Sequence, residues 1–209
     1  MEFIEEIKKA KEQSKKRKFT QTWDIAISLK NIDLKKPENK LNLEFSLPEG
    51  KGRETKNVFI VDTLLPEAKG KADLVITKND LDKLGKDKKM IKAYSKEYEW
   101  WFAEAPLMPQ VGKTLGIVLG PRGLMPKPIP PKGKIDPFII MSKKLVRVRI
   151  KDSPVIHVSL GTEEMKDEQI AKNLTALMNF VNEKLPKGRN NVKNAYIKLT
   201  MGKPVRLKI

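Results

Sequence analysis

Hydrophobic and polar residues alternate along two stretches near the start of the chain, which predicts two β-strands. Apolar side chains occupy every second position over residues 23–29 and again over residues 41–47. Before them, apolar residues recur at helical spacing over residues 3–11 and predict an amphipathic helix. The segment Pro48–Gly52 ends the second strand, since proline and glycine interrupt regular structure. The chain is therefore expected to open as helix, strand, loop, strand.

The middle of the chain has a different rhythm, with short continuous apolar runs between helical stretches. The runs are Val58–Val61, Asp73–Thr77 and Tyr98–Phe102. Such runs are typical of strands that are buried on both faces of a parallel sheet. Helical patterns lie before Gly70, after a cap at Asn79 or Asp80, and over Lys113–Leu119. Strands that alternate with helices predict a parallel sheet with helices on both faces.

The end of the chain returns to alternation. Residues 146–150 and 155–158 suggest a pair of strands, and residues 195–199 with 205–209 suggest a final hairpin. Between them, Lys166–Leu185 carries the clearest helical pattern in the chain, and Pro186 and Gly188 end it.

These rhythms predict an α+β split terminal domain with an inserted α/β domain that has a parallel sheet and three layers. Residues 1–56 plus 148–209 would form the discontinuous α+β domain. Residues 57–147 would form the inserted α/β domain. A simple tandem of two domains is the alternative that the pattern alone leaves open.

Composition excludes several classes of protein. The 209 residues include no cysteine and a single histidine, His157, so disulfide scaffolds and Cys- or His-rich metal sites are excluded. No apolar run approaches the ~18 residues of a transmembrane helix. The acidic start of the chain lacks the apolar core of a signal peptide. We therefore expect a cytoplasmic protein without membrane association, metal or cofactor.

Charge favours a polyanionic partner. The chain carries 43 Lys and Arg against 26 Asp and Glu, a net charge of +17, and residues 184–209 contain eight Lys and Arg and no acid. Cations gain by displacing counterions from phosphates, so nucleic acid is the favoured interpretation. A heavily charged surface without a specific ligand, as in some thermophiles, is the simpler alternative.

No motif for catalysis is complete, so we expect no enzyme. Gly112-Lys113-Thr114 lacks the earlier glycine of a phosphate-binding loop, because Leu107 stands there. The segment Gly120–Pro126 lacks the third glycine of a dinucleotide fingerprint and is expected to be a rigid loop. The rival hypothesis is a phosphate-handling enzyme with a ligand crevice at the strand ends of the middle domain.

Two segments at the ends of the chain suit RNA. Phe19 directly follows the basic run Lys15–Lys18, and the segment Thr200–Pro204 is expected to turn between two strands. Threonine offers a hydroxyl, methionine an adaptable apolar surface, and glycine close access to the backbone. Structured RNA is recognised through shape, 2′-hydroxyls and backbone, which fits this set of groups.

With these residues the chain resembles the ribosomal protein L1 family, in its archaeal form. The stretches that carry the resemblance span almost the whole chain and are Lys18–Thr22, Ser46–Gly52, Leu119–Pro126 and Thr200–Arg206. The resemblance implies the inserted two-domain fold, with the discontinuous domain of residues 1–56 plus 148–209 as the main RNA-binding part. It also implies a structural protein of the large ribosomal subunit, located in the mobile stalk at the exit site.

The resemblance further implies partners and site residues. The partners are large-subunit ribosomal RNA, exit-site tRNA during release of deacylated tRNA, and the protein's own mRNA in translational repression; the protein is expected to be a monomer within the ribosome. Asp24 stands where the family usually has Glu, and Asn194 where it often has Ser. The implied RNA-binding residues are Lys18, Phe19, Thr22, Asp24, Asn194, Thr200, Met201 and Gly202.

Overall fold

The two ends of the chain fold together around one antiparallel sheet. The computed structural model describes residues 3–36, 39–131 and 133–208, apart from the side chain of Lys86. The chain divides into two compact units. The terminal unit consists of Met1–Arg53 and Lys144–Ile209, and the inserted unit is Glu54–Lys143.

The helices and strands follow one another in a mixed order. In chain order they are α1 (Ile4–Glu12), β1 (Thr22–Leu29), β2 (Asn42–Ser46), β3 (Asn57–Ile60), α2 (Leu65–Ala68), β4 (Leu74–Ile76), α3 (Lys78–Lys86), α4 (Lys88–Glu97), β5 (Trp100–Glu104), α5 (Met108–Thr114), α6 (Gly116–Arg122), β6 (Lys127–Ile129), α7 (Asp136–Lys144), β7 (Leu145–Arg149), β8 (Val155–Thr162), α8 (Asp167–Lys184), β9 (Val192–Leu199) and β10 (Val205–Arg206).

The main sheet of the terminal unit has the antiparallel order β10-β9-β1-β8. Every second residue of β1 is fully buried, and these side chains share one core with α1 and α8. The intervening side chains lie on the opposite face of the sheet, which we call the open face. The predicted first and last helices and the final hairpin of β9 and β10 are confirmed. Ile209, placed in that hairpin from the sequence, lies outside the described residues.

One predicted strand pairing is wrong. Residues 146–150 and 155–158 do form strands, but β7 pairs with β2, whereas β8 pairs with β1. The Pro154 carbonyl oxygen accepts a hydrogen bond from Leu29 N at 2.8 Å, which brings the connecting segment to the end of β1. The β2–β7 ribbon packs on α8, where the rings of Phe45 and Phe180 are 4.7 Å apart.

The inserted unit contains a parallel sheet of order β4-β3-β5-β6. Trp101 and Ala103 face one side of this sheet and pack with apolar residues of α3, α5 and α6. Phe102 faces the other side, where its ring lies 5.6 Å from that of Phe138 on α7. Helices therefore cover both faces, which confirms the predicted fold class with its three-layer α/β part.

Several details of the inserted unit differ from the sequence-based expectation. The segment Gly120–Pro126, expected to be a rigid loop, begins inside a helix, because α6 extends through Arg122. The cap of α3 is Thr77, not Asn79 or Asp80: the Thr77 hydroxyl accepts from Asp80 N, and the Asp80 carboxylate accepts from Thr77 N. The short strand β6 was not predicted, because Pro128 at its centre argues against a strand. This strand lies at the edge of the sheet, where a missing N–H is tolerated.

Candidate nucleic-acid interface

The segment after β9 makes a tight turn that is bound to the start of β1. Gly202 N donates to the Leu199 carbonyl oxygen at 2.8 Å, which closes the turn. Thr200 N and Thr200 Oγ1 both donate to the Thr22 carbonyl oxygen, at 3.0 and 3.2 Å. Thr22 N donates to Thr200 Oγ1 at 3.0 Å. The hydroxyl of Thr200 thus supplies the last acceptor of the β1–β9 ladder, and residues 200–202, the Thr-Met-Gly turn, have a defined position.

Met201 and Gly202 present different surfaces at this turn. Met201 is 59% exposed, which is unusual for a large apolar side chain. The φ of Gly202 lies outside the left-handed region, and a Cβ added there would be 3.4 Å from Leu199, within ordinary contact distance. The turn itself therefore does not require glycine. A small side chain at position 202 would not strain the turn, and close approach of a partner is the argument for glycine.

Exposed cations and a phenyl ring precede β1. Residues 15–19, the basic loop, are exposed throughout, and Phe19 at its end is 51% exposed. Phe19 stands three residues before Thr22, the first residue of β1. The structure therefore presents an apolar ring and several cations on the chain segment that leads to the Thr22–Thr200 contact.

The open face of the sheet carries the other two predicted residues. Asp24 lies opposite Lys198 of β9, one pair of strand positions beyond Trp23 and Leu199. Asn194 lies opposite Ser28, four residues from Lys198, which is about 13 Å along the strand. Thr22, Asp24 and the Thr-Met-Gly turn are thus neighbours, whereas Asn194 lies toward the far end of the same face.

Asp24 sits in a partly buried position. Burial raises the pKa of its carboxyl group above the ordinary value, while the charges of Lys198, Arg53 and His157 act in the opposite direction. Desolvation disfavours the ionised form, so an ionised Asp24 lowers the stability of the folded unit. A carboxylate whose ionised form is disfavoured by burial is a candidate functional residue.

Sequence reasoning missed Gln21. Its side chain is 1% exposed, and it contacts both the basic loop and the Thr-Met-Gly turn. Gln21 lies inside the Lys18–Thr22 motif, so that motif could have drawn attention to it. Periodicity could not, because residue 21 precedes the alternating stretch.

Comparison with known proteins identifies the chain. The model of the Ribosomal protein L1p/L10e family matches residues 8–203. The chain belongs to the ribosomal protein L1 family. It is 46% identical over 208 residues to the large ribosomal subunit protein uL1 of Methanothermobacter thermautotrophicus, covering 99% of this chain and 98% of the relative. It is 43% identical to uL1 of Pyrococcus horikoshii, with 98% and 94% covered, and 42% identical to uL1 of Thermoplasma volcanium, with 98% and 96% covered. The archaeal resemblance is confirmed.

Membership of the L1 family, whose members are structural, also confirms the expectation that the chain is not an enzyme. Glu104 stands at the end of β5, where the rival hypothesis places a ligand crevice, and is 1% exposed. Its Oε1 accepts from Asp62 N at 3.1 Å and from Leu64 N at 2.8 Å. This carboxylate therefore accepts hydrogen bonds from the backbone just before α2.

Two further findings on this L1-family chain concern metal binding and membrane-spanning helices. Among residues 3–36, 39–131 and 133–208, no group of three His, Cys, Asp or Glu side chains is placed to hold a metal ion. No helix within the same residues is long and apolar enough to cross a bilayer.

Proposed function

We propose that this protein is a constituent of the large ribosomal subunit and binds large-subunit ribosomal RNA through its terminal unit. We call the proposed contact residues the RNA surface. They are Lys18, Phe19, Thr22, Asp24, Asn194, Thr200, Met201 and Gly202. Family membership and the names of the relatives support the ribosomal role, and the geometry of the terminal unit supports the surface.

The observation that carries the proposal is the exposure of Met201 beside the Thr22–Thr200 contact. A methionine that is 59% exposed on a rigidly bonded turn offers adaptable apolar area to a partner without further ordering of the backbone. Phe19, which is also more than half exposed, can stack on a base or a ribose. Exposed apolar and aromatic side chains can pack on bases and riboses, so they favour a structured nucleic acid over a partner that offers negative charge alone.

Charge supports the same partner. Lys15, Lys16, Arg17 and Lys18 are exposed at the basic loop, and Lys198 borders Asp24 on the open face. Cations of this kind neutralise phosphates and position the RNA, whereas the apolar and hydrogen-bonding groups recognise its shape. Binding should therefore have both a salt-dependent part and a part that survives raised salt.

Co-sedimentation with large ribosomal subunits at raised salt tests the proposal. We expect the full chain to remain bound, and the charge reversal Lys16→Glu with Arg17→Glu to release it at lower salt. Reversal of Lys88 and Lys89, exposed on α4 of the inserted unit, changes the net charge equally and is the matched control. Release of the parent at moderate salt, or equal effects of the two reversals, would contradict the proposed surface.

We further propose the finer roles that the family resemblance implies. These are a position in the mobile exit-site stalk, assistance in release of deacylated tRNA, and repression by binding to the protein's own mRNA. Competition between a messenger fragment and a ribosomal RNA fragment tests the last role. If both RNAs use the RNA surface, each should displace the other, and Met201→Ala should weaken both. Simultaneous binding of the two RNAs would contradict a shared site.

A further inference from the structure

We infer that Gln21 is a positioning residue for RNA binding: its buried amide holds the basic loop and the Thr-Met-Gly turn in a single arrangement. The inference rests on the proposed function, because it concerns how the RNA surface is organised. Gln21 itself has no exposed area to offer to RNA, since its side chain is 1% exposed. Its effect on binding would therefore be transmitted through the groups that it contacts.

The two ends of the Gln21 amide reach different segments of the chain. Gln21 Nε2 lies 3.3 Å from the Lys15 carbonyl oxygen, at the start of the basic loop, and 3.3 Å from Ser14 Oγ just before it, so these two acceptors share one of its two N–H groups. Gln21 Oε1 accepts from Met201 N at 3.2 Å. One planar amide group thus joins the segment after α1 to the turn after β9.

The same side chain is bonded to a third segment. Gln21 Nε2 also lies 3.2 Å from Glu163 Oε2, in the connection between β8 and α8. The backbone repeats this link, because Glu163 N donates to the Gln21 carbonyl oxygen at 2.9 Å. Thr20 Oγ1 donates to Glu164 Oε1 at 3.1 Å. Residues 20 and 21 are therefore fixed to a framework that is independent of both parts of the RNA surface.

The chemistry at this position is demanding. The side chain must donate to a carbonyl oxygen and a carboxylate on one side and accept from an amide N–H on the other. A primary amide does both, whereas a carboxylate only accepts and a hydrocarbon does neither. Loss of the amide would leave the Met201 N–H and the Lys15 carbonyl without these partners, a state that favours local opening.

The consequence for binding follows from preorganisation. With Gln21 in place, the cations before β1 and the exposed Met201 keep a fixed separation before RNA arrives. Without it, both segments must be ordered during binding, which weakens affinity although the side chains that touch RNA are unchanged.

The test replaces Gln21 by methionine, which has nearly the same size and shape but no amide. The matched control is Gln169→Met in α8. Gln169 is partly buried, and the control variant loses two hydrogen bonds of this side chain. Gln169 Oε1 accepts from Lys166 N at 3.1 Å, and Gln169 Nε2 lies 3.4 Å from Glu49 Oε2. Two quantities are measured below the unfolding temperature: hydrogen exchange of the Met201 amide in the RNA-free protein, and affinity for a large-subunit ribosomal RNA fragment.

We expect Gln21→Met to accelerate exchange of the Met201 amide and to weaken RNA binding, each by about tenfold or more. Gln169→Met should leave both near the parental values. The variant Gln21→Glu keeps an acceptor for Met201 N but places a second carboxylate beside Glu163, so it too should accelerate exchange and weaken binding.

Each other outcome overturns a defined statement. Unchanged exchange in Gln21→Met would show that the amide does not hold the turn. Faster exchange with parental affinity would show that Gln21 is structural only. A parent that fails to bind the RNA fragment would overturn the proposed function and the positioning role together, whereas a parent that binds and a Gln21→Met variant that binds equally would overturn the inference alone.

Discussion

Thr22 and Thr200, which are 178 positions apart in the chain, are joined by three hydrogen bonds, two of which use the Thr200 hydroxyl. Thr200 therefore has a structural role in addition to its proposed contact with RNA. The hydroxyl oxygen has two acceptor lone pairs, one of which faces Thr22 N, so a second is available to a ligand. Substitutions at this residue should change stability and binding together.

We predict that Thr200→Val lowers the free energy of unfolding by about 0.5–1.5 kcal/mol, because the hydroxyl hydrogen bonds to Thr22 at this exposed strand end are lost. RNA affinity should fall by about tenfold or more, equivalent to about 1.4 kcal/mol. Thr200→Ser keeps the hydroxyl and should remain near the parent in both respects. Denaturant unfolding and RNA titration on the same preparations measure the two effects. A Thr200→Val protein as stable as the parent would show that these hydrogen bonds contribute nothing.

Substitutions at Gly202 should change RNA binding more than they change stability. Because its φ is ordinary and an added Cβ meets Leu199 only at 3.4 Å, Gly202→Ala should leave the unfolding temperature nearly unchanged. Gly202→Val should weaken RNA binding by about tenfold, since its branched side chain occupies the space of a closely approaching partner. Gly112→Ala, at an open position of the inserted unit, is the control. A loss of stability in Gly202→Val that accounts for its loss of binding would assign a purely structural role to this glycine.

Asp24 gives a prediction about pH. Burial raises the pKa of its carboxyl group in the folded protein, so the contribution to stability is fully present below the unfolded value of about 3.8 and is lost as pH rises through the folded pKa. Asp24→Asn removes this ionisation. The variant should therefore gain stability relative to the parent as pH rises from about 4 toward neutrality, while its RNA affinity falls.

Unfolding free energies of the parent and Asp24→Asn across that pH range test the prediction. A difference that does not change with pH would contradict the assigned cause. The opposite trend, with the variant losing stability toward neutral pH, would show that the attraction of Lys198, Arg53 and His157 outweighs burial.

Glu104 provides a prediction for the inserted unit. Glu104→Ala removes a buried carboxylate that accepts from Asp62 N and Leu64 N, so the free energy of unfolding should fall by about 2–4 kcal/mol. RNA affinity of the folded protein should be parental. Glu104→Gln keeps one carbonyl acceptor and should lose less. A Glu104→Ala variant of unchanged stability would show that the carboxylate is not needed at the start of α2.

Much of the fold could be predicted from the local pattern of apolar and polar residues. The alternation over residues 22–29 and the apolar stripe over residues 166–185 predicted β1 and α8, because one face of each element packs in the core. The partner of β7 could not be predicted in this way. Residues 145–149 alternate equally well beside β2 or β8, and the hydrogen bond between Leu29 N and Pro154 O, which fixes the choice, is a tertiary contact.

Motifs in the sequence predicted the residues of the candidate site, but they did not predict the hydrogen bonds and the burial that hold the site together. The expectation that Thr200, Met201 and Gly202 lie in a turn is met. The threefold bonding of Thr200 to Thr22 and the burial of Gln21 depend on strands that are far apart in sequence, so no local spacing indicates them. The backbone at Gly202 is a further example, since residue type alone does not tell whether a turn needs the positive φ that glycine allows, and the φ of Gly202 is not positive.

The central claim is that a rigid turn with an exposed Met201, and not basic charge alone, recognises RNA. The most direct test is a titration of a large-subunit ribosomal RNA fragment with the parent and Met201→Ala over a series of salt concentrations. Met141→Ala, at an exposed methionine of the inserted unit, is the control. For the parent, affinity should fall with a log–log slope of about −0.7 to −0.9 per phosphate contact.

Because methionine carries no charge, Met201→Ala should reduce affinity by about tenfold at every salt concentration without changing that slope. Met141→Ala should bind as the parent does. If Met201→Ala folds normally and its binding curves coincide with those of the parent across the series, the turn does not recognise RNA and the account is contradicted.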